Sequence, residues 1–264
     1  MTKRPLGVFD SGVGGLSAVR VLRDILPDED IIYFADTANV PYGTREVPEL
    51  LELSRSAALR LAALGVKAIL VACGTVSASC LEAMRESSGL PVYGVIAPAA
   101  AEAAARSSGR IGVLSTMATA RSGAFERELR ALLPDAELLT RGNTGLVPLA
   151  EAGRVRLDDA EVRAELEGAL RPFSDWGADT LILGCTHFPL FSAAVSEMLP
   201  GTALIDSAGA GAREFKRRLA GAGLLSAGGA AGALRCLVSG DTAAFGKAAR
   251  IFLPSAAKLC VEKA

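Results

Sequence analysis

The sequence predicts an α/β protein made of two similar domains, each with a mainly parallel sheet flanked by helices. Short apolar runs alternate along the chain with longer amphipathic segments, which is the pattern of βαβ units. Two of the runs also resemble each other, because residues 68–75 and 180–187 both combine a buried-looking strand with a cysteine and a turn that contains hydroxyl groups. This repetition indicates that the chain consists of two related halves.

The predicted strands are the short apolar runs. They are residues 6–9, 30–34, 68–72, 92–95, 110–114, 180–183 and 203–205. The predicted helices lie between them and carry apolar residues at helical spacing. They are residues 16–26, 47–64, 76–86, 122–133, 160–176 and 188–198. The abundance of alanine favours helices that pack closely on the sheets.

The repetition also predicts the domain boundaries. The first half ends near residue 97 and the second near residue 206, and the segment beyond residue 205 is expected to pack back on one half. We therefore predict an N-terminal α/β domain of residues 1–97 plus 207–264, which carries Asp10 and Cys73. The second α/β domain comprises residues 98–206 and carries Cys185 and His187. The Gly/Ala-rich stretch at 221–232 is interpreted as a loop.

Charge and hydropathy narrow the class of function. The chain has 28 lysines and arginines against 29 aspartates and glutamates, and no basic block, so nucleic acid is not expected as the main partner. No apolar run approaches the roughly 18 residues of a transmembrane helix, so no membrane partner is expected. The apolar stretch near the N-terminus is too short for a signal peptide, which predicts a cytoplasmic protein.

The cysteines and the single histidine restrict the chemistry further. The five cysteines are Cys73, Cys80, Cys185, Cys236 and Cys260. Their odd number and scattered spacing argue against a disulfide framework and against a zinc cluster, and no metal is expected. His187 is the only histidine, which excludes a mechanism that needs two imidazoles. Cys80, Cys236 and Cys260 lack any motif and are interpreted as packing residues.

Four polar residues fall where predicted strands end. They are Asp10, Cys73, Thr116 and Cys185. Ligands of parallel α/β sheets bind beyond the carboxyl ends of the strands, so two facing halves would bring both cysteines to one cleft. A thiol at the start of a helix is expected to have a lowered pKa.

Two thiols on opposite faces of one ligand suit inversion at a tetrahedral carbon. One thiolate removes a proton, the other thiol delivers a proton from the opposite side, and the roles exchange in the reverse direction. Asp10 and His187 are candidate helpers, one for each cysteine, although Asp10 could also cap the following helix. Negative charge next to a substrate carboxylate needs many hydrogen-bond donors. The candidate hydroxyls are those of Ser11, Thr75, Thr116, Thr119 and Thr186.

Several segments resemble the bacterial glutamate racemase family. Residues 7–17 (GVFDSGVGGLS), 33–43 (YFADTANVPYG) and 183–190 (LGCTHFPL) resemble its main signatures, and residues 147–151 and 238–241 also fit. The resemblance implies an active site in the cleft between two α/β domains, no cofactor, and Cys73 and Cys185 as the proton donor and acceptor pair. Asp10 and His187 would assist them.

The resemblance also implies a set of substrate-binding residues. They are Asp10, Ser11, Pro41, Tyr42, Gly43, Gly74, Thr75, Thr116, Thr119, Thr186 and His187. Thr116 and Thr119 match hydroxyls that hold the substrate carboxylate in the family. The implied role is the supply of D-glutamate for peptidoglycan in cell-wall synthesis and cell shape, by a protein that forms homodimers. Glu151 lies in a matching segment, but we assign it no role.

One position departs from the family pattern and leaves alternatives open. The family usually has asparagine after the first cysteine, whereas this chain has Gly74. A lost hydrogen bond to a charged group costs roughly 1.5–3 kcal/mol, so we expect Gly74→Asn to tighten glutamate binding. Three alternatives remain: a racemase for aspartate or another acidic amino acid, a two-lobed ligand-binding protein, and a turnover-impaired family member that acts through partners.

Overall fold

The computed structural model describes residues 4–254 and 259–264. The predicted N-terminal domain also includes residues 1–3 and 255–258, which lie outside the described residues. Within the described part the chain forms two parallel β-sheets, each covered by helices. The predicted fold class, with two α/β units and mainly parallel sheets, is confirmed.

The first sheet has six strands in the order β10-β9-β2-β1-β3-β4. They are β1 (Leu6–Asp10), β2 (Ile31–Ala35), β3 (Ile69–Val71), β4 (Val92–Tyr93), β9 (Leu234–Val238) and β10 (Cys260–Lys263). All five residues of β1 are buried, as expected of a central strand covered on both faces. The strand order reverses at β1, which has β2 on one side and β3 on the other, so a crevice forms at the carboxyl ends of β1 and β3.

The second sheet has four strands in the order β6-β5-β7-β8. They are β5 (Arg110–Ser115), β6 (Glu137–Gly142), β7 (Thr180–Leu183) and β8 (Ala203–Asp206). This order repeats the order β2-β1-β3-β4 of the first sheet, so β5 corresponds to β1 and β7 corresponds to β3. The two cysteines that follow β3 and β7 therefore occupy equivalent places in the two halves.

The helices cover both faces of each sheet. They are α1 (Leu16–Ile25), α2 (Val47–Ala63), α3 (Gly74–Ser79), α4 (Leu81–Ser88), α5 (Ile96–Arg106), α6 (Met117–Ser122), α7 (Ala124–Leu132), α8 (Leu146–Glu151), α9 (Ala160–Trp176), α10 (Ser192–Met198), α11 (Ser207–Gly221) and α12 (Thr242–Phe252). Short 3-10 turns occur at Thr37–Asn39, Tyr42–Thr44 and Phe188–Phe191. None of the helices within the described ranges is long and apolar enough to cross a bilayer.

The buried side chains form an apolar cluster on each face of each sheet. Along β1, Val8 belongs to one cluster and Phe9 to another, because successive side chains of a strand point to opposite faces. Along β7, Ile182 and Leu183 divide between two clusters in the same way. This packing holds the strand ends, and with them the loops that carry the polar residues, in fixed positions.

Three predicted helices are interrupted in the structure. The segment 76–86 is divided into α3 and α4 at Cys80, whose backbone leaves the helical region. The segment 122–133 is divided by Gly123, which has a left-handed φ of 62° and ends α6. The segment 188–198 begins as a 3-10 turn before α10. Apolar periodicity does not detect these breaks, because the apolar residues keep their helical spacing on both sides of each break.

The sequence prediction missed eight of the described helices and strands, and half of them lie after residue 205. The missed elements are α5, α6, β6, α8, α11, β9, α12 and β10. Strand β9 pairs with β2 and β10 pairs with β9, so the C-terminal segment completes the first sheet. Of the loop predicted at 221–232, Gly221 is the last residue of α11, and residues 222–232 contain no helix or strand. Cys80 and Cys236 are buried, but Cys260 is exposed on the edge strand β10, so its interpretation as a packing residue was wrong.

Candidate active site

A cavity of about 380 Å³ lies at the carboxyl ends of both sheets and is lined by both halves. The first half contributes Ser11, Gly12, Val40, Pro41, Tyr42, Gly43, Thr44, Cys73, Gly74 and Thr75. The second half contributes Thr116, Asn143, Thr144, Val147, Pro148, Glu151, Cys185, Thr186 and His187. Of the catalytic and substrate-binding residues predicted from the sequence, only Asp10 and Thr119 do not line this cavity. A larger groove of about 730 Å³ between α4, α5, α7 and α11 contains none of them.

Cys73 follows β3 and precedes the first turn of α3, and only 5% of it is exposed. Its sulfur lies 3.7 Å from the Ser11 hydroxyl. Burial raises the pKa of the Cys73 thiol to about 12, and the charge of Asp10 adds to the rise, while the N–H of Val76 and the Ser11 hydroxyl oppose it. The expected lowering by the helix start was therefore wrong, because α3 is short and desolvation of the thiolate is the larger effect.

Cys185 follows β7 and faces the cavity beside the only histidine. The Cys185 sulfur lies 3.8 Å from Nδ1 of His187, and Nε2 of the same ring lies 2.9 Å from Oε1 of Glu151. Burial alone lowers the pKa of His187, but the interactions with Cys185 and Glu151 outweigh it and raise the pKa to about 10. The raised pKa favours the protonated ring, which can donate a proton toward the Cys185 sulfur.

Asp10 lies behind the cavity wall, between the two cysteine sides. Its Oδ1 accepts a hydrogen bond from the N–H of Gly12 at 2.9 Å, and its Oδ2 lies 3.5 Å from the Thr186 hydroxyl. Burial raises the pKa of Asp10 above its ordinary value, whereas the charge of His187 and the N–H groups of Gly12 and Gly15 oppose the rise. Asp10 therefore meets the cavity wall through the Gly12 N–H and the Thr186 hydroxyl.

Three threonine hydroxyls form a chain that crosses between the halves. The Thr75 hydroxyl lies 3.0 Å from that of Thr116, which in turn donates to the Thr119 hydroxyl at 2.9 Å. Thr116 also caps α6 by accepting from the N–H of Thr119. Thr75 and Thr116 line the cavity, and Thr119 supports Thr116 from behind. Such a chain can orient its hydroxyls toward an anion.

The segment that carries Pro41, Tyr42 and Gly43 is anchored by a buried carboxylate. The Tyr42 hydroxyl donates to Oδ2 of Asp36 at 2.6 Å, and the Ser239 hydroxyl donates to Oδ1 of the same residue at 2.7 Å. Asp36 directly follows β2, and Ser239 directly follows β9. The anchor thus joins this wall of the cavity to the ends of two neighbouring strands of the first sheet.

The structure opposes the expectation that Gly74→Asn tightens glutamate binding. A Cβ built on Gly74 would lie 2.6 Å from the carbonyl oxygen of Gly184. An asparagine here would therefore have to displace backbone of the other half before its amide could contact a substrate. The energy of this displacement would offset the hydrogen bond that the amide could add.

Sequence reasoning missed several lining residues, of which Glu151 is the most important for the charge of the site. It lies at the end of α8 and contacts His187 from outside the Cys-Thr-His motif. Glu151 belongs to residues 147–151, a segment that resembles the glutamate racemase family. That resemblance was the one sign in the sequence that Glu151 could belong to the site. Asn143 and Thr144 follow β6, a strand that the sequence did not reveal.

The arrangement provides acid–base chemistry at two sulfurs and hydroxyl groups for an anion. Cys73 and Cys185 lie in the wall of one cavity, on loops that follow equivalent strands of the two halves. Among residues 4–254 and 259–264, no group of three or more His, Cys, Asp or Glu side chains could hold a metal ion.

Comparisons with known proteins agree with this geometry. The family model described as Asp/Glu/Hydantoin racemase matches residues 17–215. A glutamate racemase from Deinococcus radiodurans is 40% identical over 242 residues, which cover 90% of this chain and 83% of the relative.

Two solved structures superpose over nearly the whole chain. Glutamate racemase from Thermus thermophilus in complex with β-chloro-D-alanine has a TM-score of 0.87 at 38% identity, covering 99% of this chain and 97% of that chain. Glutamate racemase from Francisella tularensis in complex with D-glutamate has a TM-score of 0.91 at 31% identity, with the same coverage. By the family model and by identity over most of its length, the chain belongs to the Asp/Glu/hydantoin racemase family.

Proposed function

We propose that this chain is a cofactor-independent glutamate racemase that interconverts L- and D-glutamate with two thiols. The observation that carries the proposal is the placement of Cys73 and Cys185 in one cavity, on loops that follow equivalent strands of two similar halves. The relatives named glutamate racemase, at about 40% identity over most of the chain, support glutamate as the substrate.

In the proposed reaction one cysteine thiolate removes the proton from Cα of glutamate and becomes a thiol. The other thiol gives its proton to the opposite face of the same carbon and becomes a thiolate. The product is the mirror image of the substrate, and the reverse reaction exchanges the two roles. Asp10 supports the Cys73 side, and His187 supports the Cys185 side by holding and releasing a proton.

The remaining residues of the cavity are proposed to hold the substrate. Negative charge that develops next to the α-carboxylate is stabilised by hydroxyl and N–H donors already in place before the reaction. We assign this role to Ser11, Thr75, Thr116, Thr119 and Thr186, with Pro41, Tyr42, Gly43 and Gly74 shaping the wall.

The domain division is proposed as the sequence predicted it. Residues 1–97 with 207–264 form the domain that carries Asp10 and Cys73, and residues 98–206 form the domain that carries Cys185 and His187. The pairing of β9 with β2 supports the assignment of the C-terminal segment to the first domain. We further propose that the protein works in the cytoplasm as a homodimer and supplies D-glutamate for peptidoglycan.

The test is a racemisation assay on the purified chain without added cofactor, with L-glutamate, L-aspartate and other L-amino acids in D₂O. We expect deuterium at Cα and formation of the D-enantiomer with glutamate. Exchange with aspartate alone would make the chain an aspartate racemase, and ligand binding without exchange would make it a binding protein.

The same assay on cysteine variants tests the two-thiol mechanism. Cys73→Ala and Cys185→Ala are each expected to abolish racemisation and to leave thermal unfolding nearly unchanged. Cys236→Ala is the matched control, because Cys236 is also buried but lies in β9, outside the cavity. Racemisation at the parent rate by either cavity variant would refute the role of that cysteine.

A further inference from the structure

The glycine-rich segment at residues 12–15, which connects β1 to α1, contacts the only histidine of the chain. A Cβ built on Gly14 would lie 2.5 Å from both Nδ1 and Cε1 of His187, and it would also meet the Thr186 hydroxyl. Real Cβ atoms essentially never come this close to other atoms. The bare backbone of the first half therefore packs directly on an imidazole that belongs to the loop after β7 in the second half.

Backbone conformation does not explain why position 14 is a glycine. Gly14 has no left-handed φ, so other residues could adopt its φ without strain. What excludes a side chain at this position is the close approach of the imidazole and of the hydroxyl beside it.

The rest of the segment is fixed to the first sheet. The Tyr33 hydroxyl, on β2, donates to the carbonyl oxygen of Gly12 at 2.7 Å, and the N–H of Gly12 donates to Oδ1 of Asp10 at 2.9 Å. A Cβ on Gly15 would lie 2.6 Å from Cβ of Asp10, so this glycine also packs closely on the end of β1. Because the segment is held in this way, a side chain at position 14 would have to displace the imidazole.

The imidazole has little freedom to move without losing a contact. Nδ1 lies 3.8 Å from the Cys185 sulfur, and Nε2 lies 2.9 Å from Oε1 of Glu151. The ring also packs edge-on against Phe252, with 5.5 Å between the ring centroids. Nδ1, the atom that faces the sulfur, is one of the two ring atoms that a Cβ at position 14 would meet. A displaced ring therefore cannot keep both hydrogen-bonding contacts at these distances.

We propose that Gly14 is a positioning residue that holds the imidazole of His187 within proton-transfer reach of the Cys185 sulfur. The proposal rests on the two-thiol racemisation proposed above and deepens it. In that reaction the Cys185 sulfur alternates between thiol and thiolate, and a protonated ring with Nδ1 toward the sulfur stabilises the thiolate. Gly14 exchanges no proton itself and acts only through the position of the ring.

The experiment compares the parent chain with Gly14→Ala and Gly168→Ala. For each protein three quantities are measured: kcat for racemisation of glutamate in both directions, the titration of the single imidazole by NMR in protein without an affinity tag, and Tm. Gly168 is exposed in α9, outside the cavity lining, and nothing lies within 4 Å of the place where its Cβ would be, so it is the matched control.

The Tm of His187→Ala and of the double variant Gly14→Ala with His187→Ala is measured as well. Removal of the ring leaves room for the added Cβ, so these two proteins show whether the cost of Gly14→Ala comes from the imidazole.

We expect Gly14→Ala to lower the racemisation kcat by roughly 10–100-fold, since a misplacement near 1 Å costs about 10²-fold. The pKa of the imidazole should fall from about 10 toward 6.5, because the ring moves away from Cys185 and Glu151, the partners that raise it. Gly168→Ala should leave the rate and the titration unchanged. Gly14→Ala should lower Tm much less in the His187→Ala background than in the parent.

Three results would each overturn the proposal: racemisation by Gly14→Ala at the parent rate, an unchanged imidazole titration, or a Tm loss that is equal with and without the ring. The last result would assign the contact to Thr186. If Gly14→Ala does not fold, the double variant decides, because it should then unfold near the Tm of His187→Ala, and a double variant that also fails to fold overturns the proposal. A parent chain that does not racemise glutamate refutes the proposed function itself, and the parent alone reports that result.

Discussion

Nε2 of His187 lies 2.9 Å from Oε1 of Glu151, although 36 positions separate the two residues in the chain. His187 is buried in the cavity wall, while the side chain of Glu151 is 43% exposed at the end of α8. The other ring nitrogen of His187 faces Cys185. The carboxylate therefore favours a positive charge on a ring that contacts one of the two sulfurs.

We predict that Glu151→Gln lowers the pKa of His187 from about 10 toward its ordinary value of 6.5. The amide keeps the shape of the side chain but removes the negative charge. The cost of burying the imidazolium is then less well compensated, so the pKa of His187 falls. His187 is the only histidine in the chain, so the pKa can be followed as a single imidazole signal by NMR in protein without an affinity tag.

Glu161→Gln serves as the control for this change, because Glu161 is an exposed partner of Arg154 on α9. The control should leave the imidazole titration unchanged. If Glu151→Gln also leaves it unchanged, Glu151 does not set the charge of His187.

We predict that His187 makes the stability of the folded chain decrease with rising pH between about 6.5 and about 10. The folded pKa of about 10 lies above the ordinary value of 6.5, so in this range the folded chain binds a proton that the unfolded chain releases. The contribution is complete below pH 6.5, declines by at most about 1.4 kcal/mol for each pH unit above it, and is lost as the pH passes the folded pKa.

The measurement is the difference in unfolding free energy between the parent and His187→Gln across this pH range, from denaturant titrations. Taking the difference removes the groups that titrate alike in both proteins. A difference that stays constant with pH would mean that the ring is neutral in the folded state.

We predict that Tyr42→Phe lowers the unfolding free energy by about 1–3 kcal/mol, because Asp36 loses a buried hydrogen-bond donor at 2.6 Å. The ring still lines the cavity, but the segment at residues 41–43 is less firmly held, so the KM for glutamate should rise more than kcat falls. Tyr93→Phe, whose ring packs against Phe215 outside the cavity lining, is the control. An unchanged KM would show that the Asp36 anchor does not serve the site.

We predict that Lys67→Met destabilises the fold by about 3–5 kcal/mol, because it leaves the buried charge of Glu29 without its cation. The N–H and hydroxyl of Ser226 still donate to that carboxylate but carry no compensating charge. The side chains of Lys67 and Glu29 are 2% and 3% exposed, and Nζ of Lys67 lies 2.6 Å from Oε2 of Glu29. Denaturant unfolding measures the loss. Lys67 and Glu29 lie just before β3 and β2, whereas the cavity lies at the carboxyl ends of the strands. The kcat of the folded variant should therefore stay within about twofold of the parent value.

The double variant Glu29→Leu with Lys67→Met is the matched comparison, and it should recover most of the lost stability since no charge then remains buried. A double variant as unstable as Lys67→Met would assign the loss to packing and not to the unpaired carboxylate.

The alternating strands and helices were predictable because apolar periodicity reports which face of each segment is buried. Strands β1, β3 and β7 are strongly apolar, and their ends carry Asp10, Cys73 and Cys185, so a shared cleft followed from parallel topology. Strand β6 was not predicted, because as an edge strand it is only partly buried and lacks a strong apolar pattern. Its absence from the prediction also concealed Asn143 and Thr144.

The sequence by itself determined the fold class, the two related halves and the pair of cysteines, because these follow from local pattern and from motifs along the chain. Only the tertiary structure decided the charge on His187, the raised pKa of Cys73 and the close contact of Gly74 with Gly184. Each of these depends on atoms that the fold brings together from separate segments of the chain, and the Gly74–Gly184 contact also crosses between the two halves. Desolvation, charge and contact distance act through space, and no spacing in the sequence reports them.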